Sequence, residues 1–396
     1  RDVRIKHLGP NHPHTLLTLN NLAAAYIEVG RTTEAIDLHE RVRDERIKQL
    51  GPDHPSTLTT LHNLADSYLA AGRTADAIDL FEQVRRRQID QLGPDHPRTL
   101  DTMRGLATAY GRAGRTAKAV ELIRQVLDRQ NERLGRDHAS TLSTLNELGY
   151  LYWATGQFGE SVAIFEELLP ASRKKRGDDH PVTLNIAFNL AVNYRDAGKL
   201  AQAAAVIDEW LPRAQARLGF GHAKTQGGMA TAVSIYERAG TPAKAEPLLR
   251  AAVDFWRTKA GADAPQYAGQ LVLLGFNLLQ QKRPADAEPV LRESLAIRER
   301  NEPDAWTTFN AQSMLGGSLT GQQKYAEAEP LLLAGFEGMK AREEKIPPQG
   351  KVRLSEALAR VVDLYVATGQ AEKADEWRAK LDAAQANGPD TTSKGV

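Results

Sequence analysis

Apolar residues recur at intervals of three and four along most of this 396-residue chain, which is the spacing of amphipathic helices. Leu16, Leu19 and Ala23 follow this spacing in one segment, and the stretch from Ile78 to Leu92 follows it in another. No stretch shows the alternation of apolar and polar residues that indicates a strand. The pattern therefore predicts an all-α protein built from pairs of helices.

The hydrophobic pattern repeats with a fixed period of 42 residues, which is marked by a loop of sequence LGPDHPSTL at Leu50–Leu58. A period of this length indicates a repeat array, in which each unit packs only against its neighbours. The loop glycines are Gly9, Gly51, Gly93, Gly135, Gly177, Gly219 and Gly261. In each repeat a first helix, A, is expected to begin near the loop proline and to end at a capping glycine such as Gly72. A second helix, B, follows.

The period defines the expected domain organisation. We expect residues 13–387 to form a right-handed α-solenoid of about nine antiparallel helix hairpins, a superhelix. The repeats are expected to start near residues 13, 55, 97, 139, 181, 223, 264, 304 and 347. Residues 1–8 closely match residues 43–50, the end of a B helix, so we interpret residues 1–12 as the remnant of a preceding repeat. Residues 388–396 are expected to form a disordered tail.

Composition narrows the function classes. Lys and Arg number 51 against 50 Asp and Glu, so no overall charge favours nucleic acid or an anionic membrane. No apolar run approaches the roughly 20 residues of a membrane-spanning helix. Cysteine is absent, which excludes disulfides and thiolate chemistry. We therefore expect a cytoplasmic protein that neither inserts into membranes nor binds nucleic acid.

Six histidines are the candidate metal ligands, because imidazole is a common ligand for zinc. They are His12, His54, His96, His138, His180 and His222. Each lies at the start of a different A helix, and we expect a B helix to separate successive A helices. Zinc requires nitrogens about 2.0–2.1 Å from one centre. We therefore predict a structural role for these histidines in the loop and no metal site.

The sequence lacks the motifs of common enzyme classes. It has no glycine-rich phosphate loop, no H-E-x-x-H, no G-x-S-x-G, and no protein-kinase H-R-D or D-F-G. We predict no catalytic residues and no cofactor.

The repeat resembles a known family. The residues Leu22, Ala23, Tyr26, Gly30 and Ala35 are similar to the signature of the tetratricopeptide repeat (TPR). The 42-residue period resembles the long-repeat variant of kinesin light chains and many bacterial proteins. Residues 288–380 also resemble the C-terminal arrays of large bacterial serine/threonine protein kinases.

The resemblance implies that the A helices line a concave groove that binds a peptide. Asparagines offer donors and acceptors to an extended backbone, aromatic side chains supply an apolar anchor, and arginines pair with acidic residues. The candidate groove residues are Asn20, Asn21, His62, Asn63, Arg104, Arg112, Asn146, Tyr150, Trp153, Phe188, Asn189 and Arg195. The alternative is that some asparagines only link neighbouring helices and some aromatic residues pack between repeats.

The favoured function is a protein–protein interaction scaffold that binds a peptide or protein segment and has no catalysis of its own. One alternative is the regulatory or substrate-recruiting arm of a larger bacterial serine/threonine kinase. A second is a structural spacer or self-associating scaffold. The apolar first hairpin, with Leu16, Leu17, Leu19 and Leu22, is covered only by a short N-terminal stub, so end-to-end self-association is expected there.

Overall fold

The computed structural model describes residues 7–386, and within that range the chain forms eighteen α-helices and no β-strand. Odd-numbered helices are the A helices and even-numbered helices are the B helices. In chain order they are α1 Pro13–Glu28, α2 Thr32–Leu50, α3 Pro55–Ala70, α4 Thr74–Leu92, α5 Pro97–Arg112, α6 Thr116–Leu134, α7 Ala139–Ala154, α8 Phe158–Arg176, α9 Pro181–Asp196, α10 Leu200–Leu218, α11 Ala223–Arg238, α12 Pro242–Ala260, α13 Pro265–Gln280, α14 Pro284–Asn301, α15 Trp306–Gly321, α16 Tyr325–Lys340, α17 Val352–Ala367 and α18 Ala371–Ala386. The predicted tail at 388–396 and most of the N-terminal stub lie outside the described residues.

The repeated loop sequence is the N-terminal cap of each early A helix. At α5, the Nδ1 atom of His96 accepts a hydrogen bond from the backbone N–H of Arg98 at 3.2 Å. The hydroxyl of Thr99 donates to the carbonyl of Gly93 at 3.0 Å, which ties the helix back to the loop. Pro97 occupies the first helical turn, where its missing N–H has no partner to lose. The same histidine contact recurs at all six loop histidines.

Each A helix ends in a left-handed residue that reverses the chain into the B helix. At Gly114 φ is +71°, and the N–H of Arg115 donates to the carbonyl of Tyr110 at 2.8 Å, as in a Schellman cap. Seven of the nine repeats have glycine at this position. The two exceptions are Lys282, with φ of +57°, and Gln323, with φ of +61°.

Close helix packing within a hairpin depends on small residues. A Cβ added to Gly149 of α7 would lie 2.8 Å from the ring of Phe165 in α8, closer than packed side chains approach. Phe165 is 1% exposed as a result. The glycine therefore accommodates the phenyl ring that joins the two helices.

Tyrosines on the A helices of repeats two to four link them to the B helix of the repeat before. Tyr110 on α5 donates from its hydroxyl to Glu82 on α4 at 2.5 Å, and Tyr68 donates to Glu40 at 2.6 Å. In the fourth repeat the tyrosine contacts a cation instead, Arg124. The family's tyrosine position is thus an inter-repeat contact.

The chain divides into two units, one ending at Ile186 and one beginning at Ala187, and the division falls within α9. Each unit buries small apolar clusters between neighbouring helices, as solenoids do. One cluster of the first unit joins Leu58, Leu61 and Val84. The second unit has a comparable cluster around Tyr267. The predicted all-α solenoid of helix hairpins is confirmed.

The spacing of the last repeats varies. Between α16 and α17 the chain forms two short 3-10 helices, Glu343–Lys345 and Pro348–Gly350. Ile346 lies between them and is only 2% exposed, so it anchors this connection in the apolar core. The last A helix, α17, consequently begins at Val352.

Candidate functional site

The solvent-facing side of the A helices forms a continuous surface in the first unit, which we call the A face. It repeats every 42 residues, since the exposed residues of one helix recur at the same positions of the next. The A face consists of the exposed residues Leu17, Asn21, Asp66, Asp101, Thr108, Arg112, Ser143 and Tyr150 and the half-buried Thr59 and Asn63. These side chains lie at intervals of three, four and seven, on one side of α1, α3, α5 and α7.

Nine of the twelve predicted groove residues lie in the first unit, from Asn20 to Trp153, and three lie in the second, from Phe188 to Arg195. Four of the nine lie on the A face itself. Of the other five, Asn20 is buried, and His62, Arg104, Asn146 and Trp153 are half-buried.

Three predicted groove residues connect neighbouring repeats. Nδ1 of His62 lies 3.0 Å from the hydroxyl of Thr102 on the next A helix. Arg112 donates to the carbonyl of Leu69 on the preceding A helix at 2.8 Å. Successive A helices therefore contact each other directly. The expectation that a B helix separates them is wrong, because successive A helices lie beside each other and their polar side chains meet.

The third connection is an ion pair. The guanidinium of Arg104 on α5 binds both carboxylate oxygens of Glu147 on α7, and it also donates to the hydroxyl of Ser143 at 3.3 Å. This hydrogen-bonded carboxylate raises the pKa of Arg104, despite the opposing effect of burial. Since Arg104 is 24% exposed and Glu147 is 30% exposed, the pair is partly shielded from solvent.

The predicted asparagines differ in what they offer. Asn20 is 5% exposed, and its side-chain oxygen has no hydrogen-bond partner among the described residues. The side-chain oxygen of Asn146 is likewise buried and without a partner there. Asn63 is half-buried, whereas Asn21 is exposed on the A face. A continuous ladder of exposed amides is therefore not formed in the first unit.

The largest exposed aromatic surface on the A face belongs to the fourth repeat. Tyr150 is 58% exposed, and its ring centroid lies 5.7 Å from that of the half-buried Trp153. The adjoining helix α5 packs on α7 here, since a Cβ on Gly111 would lie 3.2 Å from a methyl of Leu151. Arg112 follows Gly111 on α5 and is exposed, and its guanidinium donates to the carbonyl of Leu69 on α3.

The three predicted residues of the second unit make local contacts. The ring of Phe188 packs on Trp210, with centroids 4.9 Å apart. The carbonyl of Asn189 accepts a hydrogen bond from Asn193 at 2.8 Å. Arg195 pairs with Asp196 through two hydrogen bonds, of 2.7 and 3.0 Å.

The sequence analysis did not identify the residues that bind Arg104 and His62. Glu147 and Thr102 are the partners of Arg104 and His62. They follow those residues by 43 and 40 positions, that is, by about one repeat. Pairing opposite charges one period apart in the sequence would have identified Glu147.

The loop histidines act as helix caps, as described above for His96. Within residues 7–386, no group of three or more His, Asp or Glu side chains is arranged to hold a metal ion. No helix in this range has the length and apolarity needed to cross a lipid bilayer.

Family comparisons agree with the architecture. A tetratricopeptide repeat model matches residues 14–90, 84–132 and 140–216, and a second one matches residues 268–301. The chain therefore belongs to the tetratricopeptide repeat family, whose members generally mediate protein–protein interactions. No curated protein matched the chain.

Several solved structures are similar. Repeats of a putative kinesin light chain from Podospora anserina are 33% identical over 52% of this chain and 97% of that one, with a TM-score of 0.47. The apo form of RapI is 13% identical over 93% of this chain and 97% of that one, with a TM-score of 0.64. A signal transduction ATPase with a tetratricopeptide repeat sensor, from Pyrococcus horikoshii, is 12% identical over 73% and 42% of the two chains, with a TM-score of 0.58.

Proposed function

We propose that the chain is an interaction scaffold that binds a peptide or protein segment on the A face of its first unit and performs no catalysis of its own. The observation that carries the proposal is the exposed Tyr150, with Trp153 beside it and Arg112 on the adjoining helix. Tyrosine, tryptophan and arginine are the residue types that dominate binding energy at protein interfaces.

The chemistry of this surface favours one kind of ligand. An apolar side chain of the ligand would cover the rings of Tyr150 and Trp153. An acidic neighbour would reach Arg112, which is exposed and, among residues 7–386, is hydrogen-bonded through one terminal nitrogen. Arg104 contributes less, because Glu147 already occupies its guanidinium. We therefore expect an apolar anchor residue flanked by Asp or Glu.

A peptide-display selection against the purified chain tests the proposal. A selected peptide is measured by calorimetry against the wild type, Tyr150→Ala and Leu134→Ala. Leu134 is a matched control, since it is 43% exposed but lies at the end of a B helix. Losing an interface aromatic of this kind costs about 2 kcal/mol, or roughly thirty-fold in Kd.

We expect that loss for Tyr150→Ala and no change for Leu134→Ala. A selection that yields no peptide, or a peptide that binds Tyr150→Ala as well as the wild type, would favour a structural spacer instead.

A further inference from the structure

A cleft of about 430 Å³ lies on the A helices of the last three repeats, far along the chain from the A face and wholly within the second unit. Its walls come from α13, α15 and α17, from the turn that follows α13 and from the first residue of α14. Besides two glycines, the residues that line it are Leu279, Lys282, Pro284, Thr320, Arg360 and Asp363.

Two glycines bring these helices together. A Cβ on Gly317 would lie 2.9 Å from Cδ of Arg360, so the arginine stem crosses α15 in direct contact with its backbone. A Cβ on Gly321 would lie 3.0 Å from Cβ of Pro284. Larger residues at either position would crowd these contacts. Arg360 and Pro284 therefore pack directly on the backbone of α15 inside the cleft.

The arginine in the cleft is already neutralised by the protein. Nη1 of Arg360 donates to the hydroxyl of Ser313, and Nη2 donates to the carboxylate of Glu356, both at 3.2 Å. The Arg360 side chain is only 13% exposed. It therefore forms a fixed part of the wall, and its charge is largely compensated.

Two further charges line the cleft. Neither Lys282 nor Asp363 forms a side-chain hydrogen bond or a close ion pair with any residue in the range 7–386. Burial raises the pKa of Asp363, and the attraction of the Arg360 guanidinium acts against that rise. Lys282 is held in place by its backbone N–H, which donates to the carbonyl of Leu279 at 2.9 Å. Within the described residues, an ammonium without a partner and a carboxylate attracted by Arg360 thus share a cleft with the apolar side chains of Leu279 and Pro284.

We infer that this cleft binds a small zwitterion with an apolar body, namely a free α-amino acid or a di- or tripeptide. The ligand's carboxylate would pair with Lys282, its ammonium with Asp363, and its apolar part would lie against Leu279 and Pro284. A simple anion would be repelled by Asp363, and a simple cation would be repelled by Lys282. The volume falls in the range of small-molecule sites, about 300–1,000 Å³. This inference does not depend on the proposed peptide site, which lies in the other unit.

The test uses the full chain and a panel of probes. Alanine, valine, leucine and phenylalanine, and the dipeptides Ala-Ala and Leu-Leu, are titrated by calorimetry, each beside its N-acetyl and its amide derivative. The derivatives remove one charge and keep the apolar body. We expect at least one zwitterion to saturate, with both of its derivatives about ten-fold weaker or worse. Saturation by free amino acids alone, or by dipeptides alone, would show which class of compound the cleft binds. Either result supports the site.

Substitutions then locate the site. Lys282→Ala and Asp363→Asn should each weaken the best probe about ten-fold or more. Gln323→Ala is the matched control, since Gln323 occupies the same left-handed position one repeat later but does not line the cleft. Circular dichroism verifies that all three variants are folded. The inference is overturned by the absence of saturable binding to every probe, by derivatives that bind as well as their zwitterions, or by unchanged binding in both cleft variants.

Discussion

The loop histidine is the residue that starts each of the first six A helices, and its contribution can be measured one helix at a time. Replacing His96 with Ala removes the acceptor for the N–H of Arg98. Loss of a side-chain cap costs about 0.5–2 kcal/mol, so hydrogen exchange should quicken in the first turn of α5. His96→Asn keeps an acceptor and serves as the control. Equal exchange in the wild type and His96→Ala would show that the contact contributes nothing.

A different histidine should make the first unit sensitive to acid. His39 is fully buried, its Nδ1 lies 2.8 Å from the hydroxyl of Ser67, and burial lowers its pKa to about 4. In the unfolded chain the pKa returns to about 6.5. The unfolded state therefore binds the proton more readily, so stability that is fully present above pH 6.5 is lost as the pH falls toward 4.

The measurement is the thermal midpoint as a function of pH for the wild type and His39→Gln. The glutamine still offers a hydrogen bond to Ser67 but does not titrate. We expect the wild-type midpoint to fall more steeply than that of the variant between pH 6.5 and 4. Parallel curves would show that His39 is not the group responsible.

Single residues also show where the sequence was informative about the candidate site. The sequence predicted that Tyr150 and Arg112 lie on the exposed side of their helices, because the spacing of apolar residues determines which side of an amphipathic helix is exposed. It could not reveal that Glu147 binds Arg104, since that contact depends on the distance between two A helices. Asn20 and Asn146 show the same limit, because burial of their side-chain oxygens is set by neighbouring helices.

At the level of helices, the repeats use two different polar links to their neighbours. Early repeats use the tyrosine–carboxylate contact described above. Where Leu278 or Leu319 replaces the tyrosine, a glutamate at the start of the B helix forms the polar link between repeats instead. Glu288 accepts hydrogen bonds from Arg292, Gln322 and Lys324, which lower its pKa to about 2, with Lys324 contributing most. The glutamate of the A-E-P sequence is therefore a polar link between repeats, and at Glu329 the donor is again a tyrosine, Tyr365.

The turn between A and B helices provides a direct test of backbone strain. Gln323 adopts a φ of +61° at a position where seven repeats have glycine. A residue with a Cβ is disfavoured in this region by about 1–2 kcal/mol, whereas glycine is not. Gln323→Gly should therefore raise the melting temperature, and Gly114→Ala at the equivalent turn should lower it. A lower melting temperature for Gln323→Gly would mean that the glutamine side chain stabilises the turn more than its backbone strains it.

For the molecule as a whole, the repeat period was the most informative feature of the sequence. It specified the helix pairs, because one amphipathic pattern recurred with loop and cap residues in fixed positions. The cleft near Lys282 could not be predicted in the same way. It depends on Gly317 and Gly321 packing against Arg360 and Pro284, contacts specific to repeats that have drifted from the common pattern. The repeat period predicts the helices and caps that all repeats share, whereas contacts specific to single repeats determine how the repeats differ.

The first unit is built from hairpins that contact only their neighbours. The cluster of Leu58, Leu61 and Val84 lies within one hairpin, and Tyr110 and Arg112 link the next hairpin to it, so the unit has no central core. Deleting residues 93–134, one full period, should fuse two equivalent loops and let the flanking repeats pack as neighbours. Circular dichroism per residue should stay nearly unchanged, with a somewhat lower melting temperature. Deleting residues 93–113, only half a period, is the control, because it removes α5 and leaves α6 without its partner helix. Loss of helicity in the full-period deletion comparable to that in the half-period one would show that the unit folds as an indivisible core.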